Sequence, residues 1–488
     1  MIKQLLNKYR SLSVQVKAGI WFFVCSMIQK GIGFITTPVF TRLMTTDQYG
    51  IFTAYQTWRD ILSVFITFAL SSSVYMKKMV DLDTQEEKNK LTCSLQGLAT
   101  FTTLIALTVY LLFRPFWNGL FKLPTMAMLA IFISVLLTTA FDFWAARARI
   151  SYKYRALVAV TLLTSLMKPI VAIIAITQTT ETAFARIYSV TGVEVAVFSV
   201  LYVINFRSRE KWYNRGYWKY AMVFVLPLIP HYLSQRLLSS ADRIMIERMI
   251  GASETGIYGL ANSIGAILQI VVTSCDGVLA PWIYSNIKQD KGILIRKISL
   301  YVVMMMAILS LGVIMIVPEL TRFFAPSEYY DAIWTLPPLV LSVFFMMVYL
   351  FFVYYEYYFE ETKKIMFATM GSAALNIGLN FIFIRMFGYI AAGYTTLFCY
   401  IAYTVFHYLV YRRTCRKHGI TEMPYNTKVF FLVSAVLVVV GLATMSLYNY
   451  PLIRYAVILL IVTAGIVKRR QIMEIVQQVK NQKGGAIH

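Results

Sequence analysis

The chain has 488 residues, of which 58% are hydrophobic and only 14% are charged, and its mean hydropathy is +0.63. A sequence of this length and composition is too apolar for a soluble globular protein. The net charge of +23 would suit a nucleic-acid-binding protein, but the distribution of that charge along the chain argues against this.

Apolar runs of about twenty residues, the length that crosses a hydrocarbon core of about 30 Å, recur from one end of the sequence to the other. We therefore predict an all-α polytopic membrane protein with about fourteen transmembrane helices. The first apolar run is too long for a signal-peptide core and has no small-residue cleavage site after it, so we expect it to remain as a helix. In chain order, the predicted spans are 17–41, 49–76, 91–113, 124–148, 155–177, 183–205, 220–247, 255–286, 296–318, 330–358, 364–386, 389–411, 427–448 and 451–467.

The number of basic residues alternates between high and low from one connection between spans to the next. When basic residues near a span end are counted with the adjoining connection, one set of alternate connections, with both chain ends, holds 33 of the 46 Lys and Arg residues. The other set holds seven, and the remaining six are counted within spans. Short loops rich in Lys and Arg stay in the cytoplasm, so both termini are predicted to be cytoplasmic. This alternation accounts for the basic charge, and we expect no nucleic-acid partner.

The cysteines show no paired spacing. They lie within predicted spans or on the predicted cytoplasmic side, so we expect neither a disulfide nor a metal site. The sequence contains no Walker A pattern, so we do not expect the chain to hydrolyse ATP. We predict that it needs no cofactor.

The sequence contains an internal repeat with an offset of 206 residues. The stretch from Gln29 to Phe52 matches the stretch from Gln235 to Tyr258 without gaps, and it pairs Lys30 with Arg236. Six spans separate the two copies, which is an even number, so the repeats are parallel and related by an axis along the membrane normal.

This repeat predicts the domain organisation. We expect two six-helix lobes related by a pseudo-twofold axis along the membrane normal, followed by a C-terminal helix pair. The predicted parts are an N-terminal lobe (1–206), a cytoplasmic inter-lobe loop (207–219), a C-terminal lobe (220–411), and a segment with helices 13 and 14 and a basic cytoplasmic tail (412–488).

Three stretches resemble a known family. Two of them resemble the segments with which the two halves of exporters of the multidrug/oligosaccharidyl-lipid/polysaccharide (MOP) superfamily begin. They are "TRLMTTDQYGIFTAYQT" (41–57) and "ADRIMIERMIGASETGIYGLANSI" (241–264). "AALNIGLNFIFIRMFGYIAAGYTTLFCYI" (373–401) is similar to the helix 11–12 hairpin of its polysaccharide-transporter branch, the Wzx-type flippases.

The resemblance implies a V-shaped pair of lobes around a cavity that opens alternately to each side of the bacterial cytoplasmic (inner) membrane. It also implies a flippase rather than an enzyme, with an undecaprenyl-pyrophosphate-linked oligosaccharide as the substrate. The partners that it implies are this polyprenyl-pyrophosphate-linked glycan, membrane lipids and other polysaccharide-assembly proteins.

Four cations fall near the predicted bilayer midplane. By helical rise, Lys30, Arg59, Lys168 and Arg236 lie roughly 14 to 20 Å from the ends of their spans. A pyrophosphate offers several anionic oxygens, which Lys binds as a point charge and Arg can bind two at a time. We predict that these four residues bind the substrate, and that they would repel a cationic drug.

Two acidic residues leave an alternative open. Asp60 adjoins Arg59 in sequence, and Glu194 also falls near the midplane, so either carboxylate could neutralise these cations in a structural ion pair. A carboxylate within the membrane could instead carry a proton or sodium ion, and Glu194 and Asp142 are the candidates for ion coupling. Arg186 lies about one turn into its span, and we expect it to reach outward to the interface.

Two prolines interrupt the seventh span. Pro227 and Pro230 precede Arg236, and prolines in membrane helices are tolerated and mark kinks. We predict a hinge at these residues.

The sequence favours one function over several alternatives. The leading prediction is a flippase for O-antigen, capsule or exopolysaccharide repeat units, and the alternatives within transport are a lipid II-type flippase and a MATE-like ion-coupled exporter of small molecules. A membrane polymerase or glycosyltransferase is disfavoured because every predicted external connection is short. A structural role in a biosynthetic complex is the remaining alternative.

Overall fold

A computed structural model describes residues 13–206, 211–420 and 422–467. The start of the basic N-terminal segment, residues 207–210 of the predicted inter-lobe loop and the basic tail from 468 lie outside the described residues. Within the described ranges the chain is helical and contains no strand.

The first helices follow the predicted spans closely. They are α1 (Val14–Leu43), α2 (Thr46–Thr67), α3 (Ser73–Asp81), α4 (Gln85–Leu112), α5 (Arg114–Phe121), α6 (Thr125–Ile150), α7 (Tyr154–Ile176), α8 (Thr182–Phe206), α9 (Arg215–Val225) and α10 (Ile229–Met249).

The remaining helices continue the same pattern. They are α11 (Ala252–Lys288), α12 (Gly292–Met315), α13 (Val317–Phe324), α14 (Ala332–Tyr358), α15 (Thr362–Phe387), α16 (Ile390–Lys417), α17 (Thr427–Thr444) and α18 (Pro451–Val467).

Each of the fourteen predicted spans is occupied by helix, and in the described part of the chain eleven helical segments are long and apolar enough to cross a membrane. Three predicted spans are not among the eleven. The α2 helix carries Arg59 and Asp60 within its length, α16 is rich in Tyr and Thr, and α18 has only 17 residues. A polytopic helical membrane protein is therefore confirmed, and the count of fourteen crossings stays a prediction.

The chain divides into two compact units, Met1–Gly259 and Leu260–His488. In the first unit α6 and α7 both pack against α8, α1 packs against α7, and α2 packs against α10. In the second unit α14 and α15 both pack against α16, and α12 packs against α14 and α17. The boundary falls inside α11, so the partition into two six-helix lobes stays a prediction.

The predicted interruption of the seventh span is present. The α9 helix ends at Val225, a 3₁₀ turn spans Leu226–Leu228, and α10 begins at Ile229 with Pro230 in its first turn. Proline lacks a backbone N–H and fits the first turn of a helix, which explains why the helix restarts here. The break is confirmed, and its role as a hinge stays a prediction.

A polar cap marks the start of the helix that carries Arg59. The side chain of Thr45 accepts a hydrogen bond from the backbone N–H of Gln48 at 3.3 Å. This bond satisfies one of the unpaired N–H groups at the start of α2. The cap fixes where α2 begins and therefore the depth of Arg59 along it.

Candidate functional site

One buried carboxylate joins four helices of the first unit. Glu194 on α8 is 1% exposed, and its Oε1 lies 2.7 Å from Nζ of Lys168 on α7 and 3.7 Å from Nη1 of Arg59 on α2. Its Oε2 accepts a hydrogen bond of 2.5 Å from Oγ of Ser134 on α6. The structure therefore brings together three of the sequence-predicted site residues.

The electrostatics of this cluster follow from burial. An isolated carboxylate inside a membrane helix is unfavourable, and pairing with cations removes most of that penalty. The side chains of Lys168 and Arg59 remain 29% and 26% exposed, so each cation contacts Glu194 and still presents polar surface. Because they are only partly covered, these two cations can reach an anion on their other side.

The second predicted acidic partner also contacts the cluster. Oδ1 of Asp60 lies 3.4 Å from Nη2 of Arg59, and the Asp60 side chain is 42% exposed. Both acidic residues that the sequence predicts as neutralising partners therefore contact Arg59, and Glu194 also contacts Lys168. The ion pairs that the sequence analysis gave as the alternative to substrate binding are therefore present around Arg59 and Lys168.

The other two predicted cations lie on neighbouring helices. Lys30 on α1 and Arg236 on α10 both have exposed side chains, and Arg236 forms no salt bridge within the described ranges. Lys30, Arg59 and Arg236 each lie thirteen residues from the predicted external end of their helix, roughly 20 Å along it. The α1 helix packs on α7, which carries Lys168, and α10 packs on α2.

The formal charge of the predicted site is positive. Four cations stand at similar predicted depth with two carboxylates, Glu194 and Asp60, among them. The formal charges of these six residues sum to +2. Among them, Glu194 contacts Lys168 and Arg59, and Asp60 contacts Arg59.

The other ion-coupling candidate is not part of this cluster. Asp142 lies on α6 with an exposed side chain, and it forms no ion pair in the part of the chain that the structure describes. Its predicted role in coupling stays a prediction, as does that of Glu194.

Arg186 packs on aromatic rings near the predicted external ends of α1 and α2. Its guanidinium carbon lies 3.5 Å and 3.8 Å from the ring centroids of Phe40 and Phe52. Cation–π contacts of this kind hold a desolvated guanidinium. That Arg186 reaches the interface stays a prediction, and residue counting could not show the aromatic rings that it contacts.

The two repeats meet at their equivalent residues. A Cβ on Gly50 would overlap the carbonyl oxygen of Ala252, and a Cβ on Gly256 would overlap that of Thr46. The offset of 206 relates Gly50 to Gly256 and Thr46 to Ala252, so the contact is reciprocal. Small residues let the backbones of membrane helices approach this closely.

Flanking contacts extend this reciprocal crossing. Oγ1 of Thr46 lies 2.7 Å from Oγ of Ser253, and a Cβ on Gly259 would lie 2.9 Å from the Thr53 side chain, its equivalent in the other repeat. The contact between α2 and α11 therefore extends along the first turns of both helices, at the predicted external side.

Sequence reasoning missed a buried pair in the second unit. Nδ1 of His407 on α16 lies 2.8 Å from Oε1 of Glu356 on α14, and both side chains are fully buried. These two helices form the most extensive helix contact of that unit. The polarity of Glu356 within a membrane helix was a signal, but nothing in the sequence indicated His407 as its partner.

The fold is shared with known transporters. The lipid II flippase MurJ, in its inward closed conformation, superposes with a TM-score of 0.65 and 14% identity, covering 93% of this chain and 100% of that chain. An inward-facing multidrug resistance MATE family transporter of the MOP superfamily superposes with a TM-score of 0.61 and 11% identity, covering 80% of this chain and 96% of that chain. The class of protein is therefore a helical membrane protein with the MOP-superfamily transporter fold.

The family is shown by the sequence. Residues 16–287 match the family described as "Polysaccharide biosynthesis protein", and the chain belongs to that family. A protein of Haemophilus influenzae described as an uncharacterized membrane protein is 23% identical over 375 residues, which cover 74% of this chain and 89% of the relative. The predicted resemblance is confirmed at the level of the polysaccharide biosynthesis family, and the fold agrees with it, because it is shared with a transporter of the MOP superfamily.

Proposed function

We propose that the protein is a flippase that moves a polyprenyl-pyrophosphate-linked oligosaccharide across the bacterial cytoplasmic membrane by alternating access. The observation that carries this proposal is the Arg59–Lys168–Glu194 cluster on membrane helices of a polysaccharide biosynthesis protein. The oligosaccharide would be a repeat unit of O-antigen, capsule or exopolysaccharide. The reaction forms no covalent bond, so the protein acts as a transporter and not as an enzyme.

The chemistry of the headgroup fits the cluster. Pyrophosphate oxygens accept charge-assisted hydrogen bonds from guanidinium and ammonium groups, and a bidentate contact to Arg adds orientation. Arg59 and Lys168 both contact Glu194. Lys30 and Arg236 lie on α1 and α10, which pack on the helices of Lys168 and Arg59, and in this proposal they also bind the headgroup. The headgroup would enter from the cytoplasm, bind these cations, and leave on the external side while its lipid chain stays in the bilayer.

A drug exporter fits the same residues less well. Exporters of cationic drugs need an anionic group that the drug or a coupling ion can reach. Glu194 already accepts contacts from Lys168, Arg59 and Ser134, and the surrounding positive charge repels a second cation. The cluster therefore favours an anionic substrate.

We also propose a location for the protein in the bacterial inner membrane and the molecules that surround it there. The alternation of Lys and Arg between connections supports both termini in the cytoplasm, and a bacterial inner membrane is where lipid-linked sugars are built. Membrane lipids surround the helices, and proteins that extend or consume the glycan are the expected neighbours.

The experiment is depletion of the protein in its own organism, followed by analysis of lipid-linked intermediates on the cytoplasmic face of the membrane. We expect one pyrophosphate-linked oligosaccharide to accumulate there and to disappear when the wild-type chain is restored. Accumulation of lipid II would support the lipid II-type alternative instead. Absence of any accumulated intermediate would refute the proposal.

A further inference from the structure

A polar cavity lies at the predicted cytoplasmic end of the second unit. Its volume is about 920 Å³, which is within the range of ligand pockets, about 300 to 1,000 Å³. The turn between α11 and α12, the first turns of α12, and the connection between α16 and α17 form most of its walls, and Tyr355 of α14 completes them. Both connections belong to the set that is rich in Lys and Arg, so the predicted topology places the cavity at the cytoplasmic leaflet.

Three basic side chains line this cavity. They are Lys291, Arg296 and Lys297. Nη2 of Arg296 donates a hydrogen bond of 2.7 Å to the carbonyl oxygen of Met423, which orients the guanidinium group, and the Arg296 side chain remains 40% exposed. Basic pockets between helices on the cytoplasmic side of a membrane are typical sites for anionic lipid headgroups. These three cations therefore favour an anionic ligand.

The same cavity surrounds the beginning of α12. Gly292, Ile293 and Leu294 line it, and Lys291, which precedes the helix, makes no capping hydrogen bond with its side chain. A Cβ on Gly292 would meet no atom within 4 Å, so this end of α12 lies against open space. The first N–H groups of a helix have no acceptor within the helix, and the helix dipole favours an anion beside them.

A nearly buried hydroxyl group is a second, independent indication of a ligand. Tyr355 is 1% exposed and lines the cavity. Its hydroxyl group has no hydrogen-bond partner among the described residues, and it is not one of their fully enclosed polar atoms, so a ligand in the cavity can reach it. A hydroxyl group that is removed from water without a partner is unfavourable. A phosphate oxygen in the cavity would accept a hydrogen bond from it.

The remaining polar side chains of the cavity accept hydrogen bonds. Asp290 and Glu422 carry carboxylates, and Oε2 of Glu422 lies 4.0 Å from Nη2 of Arg296. Nδ1 of His418 lies 3.0 Å from the carbonyl oxygen of Thr414, so in the neutral ring Nδ1 donates and Nε2 is an acceptor. These acceptors suit a ligand that carries hydroxyl groups beside its phosphate.

We propose that this cavity binds the headgroup of an anionic phospholipid of the cytoplasmic leaflet, of the phosphatidylglycerol type. The phosphate would contact the three basic residues, the start of α12 and the Tyr355 hydroxyl group, and the glycerol hydroxyl groups would donate to the carboxylates and to His418. Ile293 in the same wall is 78% exposed. An apolar side chain beside the cations suits acyl chains, so a lipid fits this cavity better than a free phosphate ion. The inference goes beyond the proposed function and does not depend on which substrate is transported.

Lipid binding to the purified full-length protein tests the inference. The protein in mixed micelles is titrated with phosphatidylglycerol, and the tightest binding is measured by native mass spectrometry, with phosphatidylcholine as the comparison. We expect Lys291→Gln combined with Lys297→Gln to weaken phosphatidylglycerol binding about tenfold or more, because two charge-assisted contacts are lost. Tyr355→Phe removes only the hydroxyl group and should weaken binding about threefold or more.

Lys288→Gln is the matched control for the lysine substitutions. Lys288 is exposed at the end of α11 and does not line the cavity, so its substitution should leave phosphatidylglycerol binding at the wild-type level. The melting temperature of each lipid-free variant is measured in parallel. If the double lysine variant melts below the wild type, Tyr355→Phe decides the test.

Four results would overturn the inference. The first two are unchanged phosphatidylglycerol binding in the substituted proteins and an equal loss of binding in Lys288→Gln. The third is equally tight binding of phosphatidylcholine, which would show that the headgroup is not recognised. The fourth is displacement of the lipid by excess inorganic phosphate, which would indicate a site for a soluble anion. All four would leave the flippase proposal standing, because depletion of the protein tests that proposal separately.

Discussion

At the scale of single residues, Glu194 is the centre of the cluster because it contacts Lys168, Arg59 and Ser134 together. We expect Glu194→Gln to leave Lys168 and Arg59 unneutralised and to lower the free energy of unfolding by at least about 2 kcal/mol. Reversible unfolding in mixed micelles measures the change.

Asp142→Asn is the matched control for Glu194→Gln. Asp142 is a carboxylate on α6 with an exposed side chain, and replacing a surface group away from a network changes stability by no more than about 0.5 kcal/mol. Equal effects of the two substitutions would contradict a stabilising role of the cluster.

Lys30 and Arg236 are expected to act on substrate rather than on stability, since their side chains are exposed. We expect Lys30→Ala and Arg236→Ala each to reduce transport about tenfold or more, because each removes a charge-assisted hydrogen bond to the headgroup. Lys30→Arg and Arg236→Lys, which keep the charge, should retain more activity. Membrane abundance is measured in parallel, and a loss of abundance instead of activity would assign both residues to structural pairing.

For the charged residues of the cluster, the depth along the helix could be predicted from the sequence, but the contacts between their side chains could not. Counting 1.5 Å per residue places Arg59 and Glu194 near the same level, but it gives no information on which way a side chain points around its helix. Asp60 and Glu194 were therefore equal candidates from sequence. The structure shows that Arg59 contacts Asp60 within α2 and reaches Glu194 because α2 packs on α8.

At the scale of helices, the reciprocal crossing of α2 and α11 depends on glycine. Gly256→Ala places a methyl group against the Thr46 carbonyl oxygen, and because both partners are backbone the helices must separate. We expect a loss of about 1 to 3 kcal/mol in the free energy of unfolding, as for other overpacked sites, measured by unfolding in mixed micelles.

The control for this substitution lies on the same helix. A Cβ on Gly277 of α11 would meet no atom within 4 Å, so Gly277→Ala should be neutral or stabilising by up to about 1 kcal/mol. If Gly277→Ala destabilised the protein as much as Gly256→Ala, the effect would belong to helix propensity and not to the crossing.

Hydropathy identified helices better than it identified membrane crossings. Each predicted span is largely helical, because a long run of apolar residues favours helix in an apolar setting. The α2 helix is not among the eleven apolar segments of the described chain because it carries charged residues, including Arg59 of the predicted site.

At the scale of the whole molecule, the repeat was visible in the sequence, but the contact between its equivalent residues was not. The offset of 206 paired Gly50 with Gly256, but a pairing in sequence does not require contact in space. The structure places these two glycines against each other.

The predicted orientation of the whole chain can be tested with single cysteines in a background without Cys25, Cys93, Cys275, Cys399 and Cys415. Thr179 lies between α7 and α8 on the predicted external side, and Ser151 lies between α6 and α7 on the predicted cytoplasmic side. Both residues are exposed. The basic residues near Ser151 favour its retention in the cytoplasm. We expect a membrane-impermeant maleimide to label Thr179→Cys in intact cells and Ser151→Cys only after permeabilisation. The reverse pattern would invert the topology and place the pyrophosphate entrance on the opposite face of the membrane.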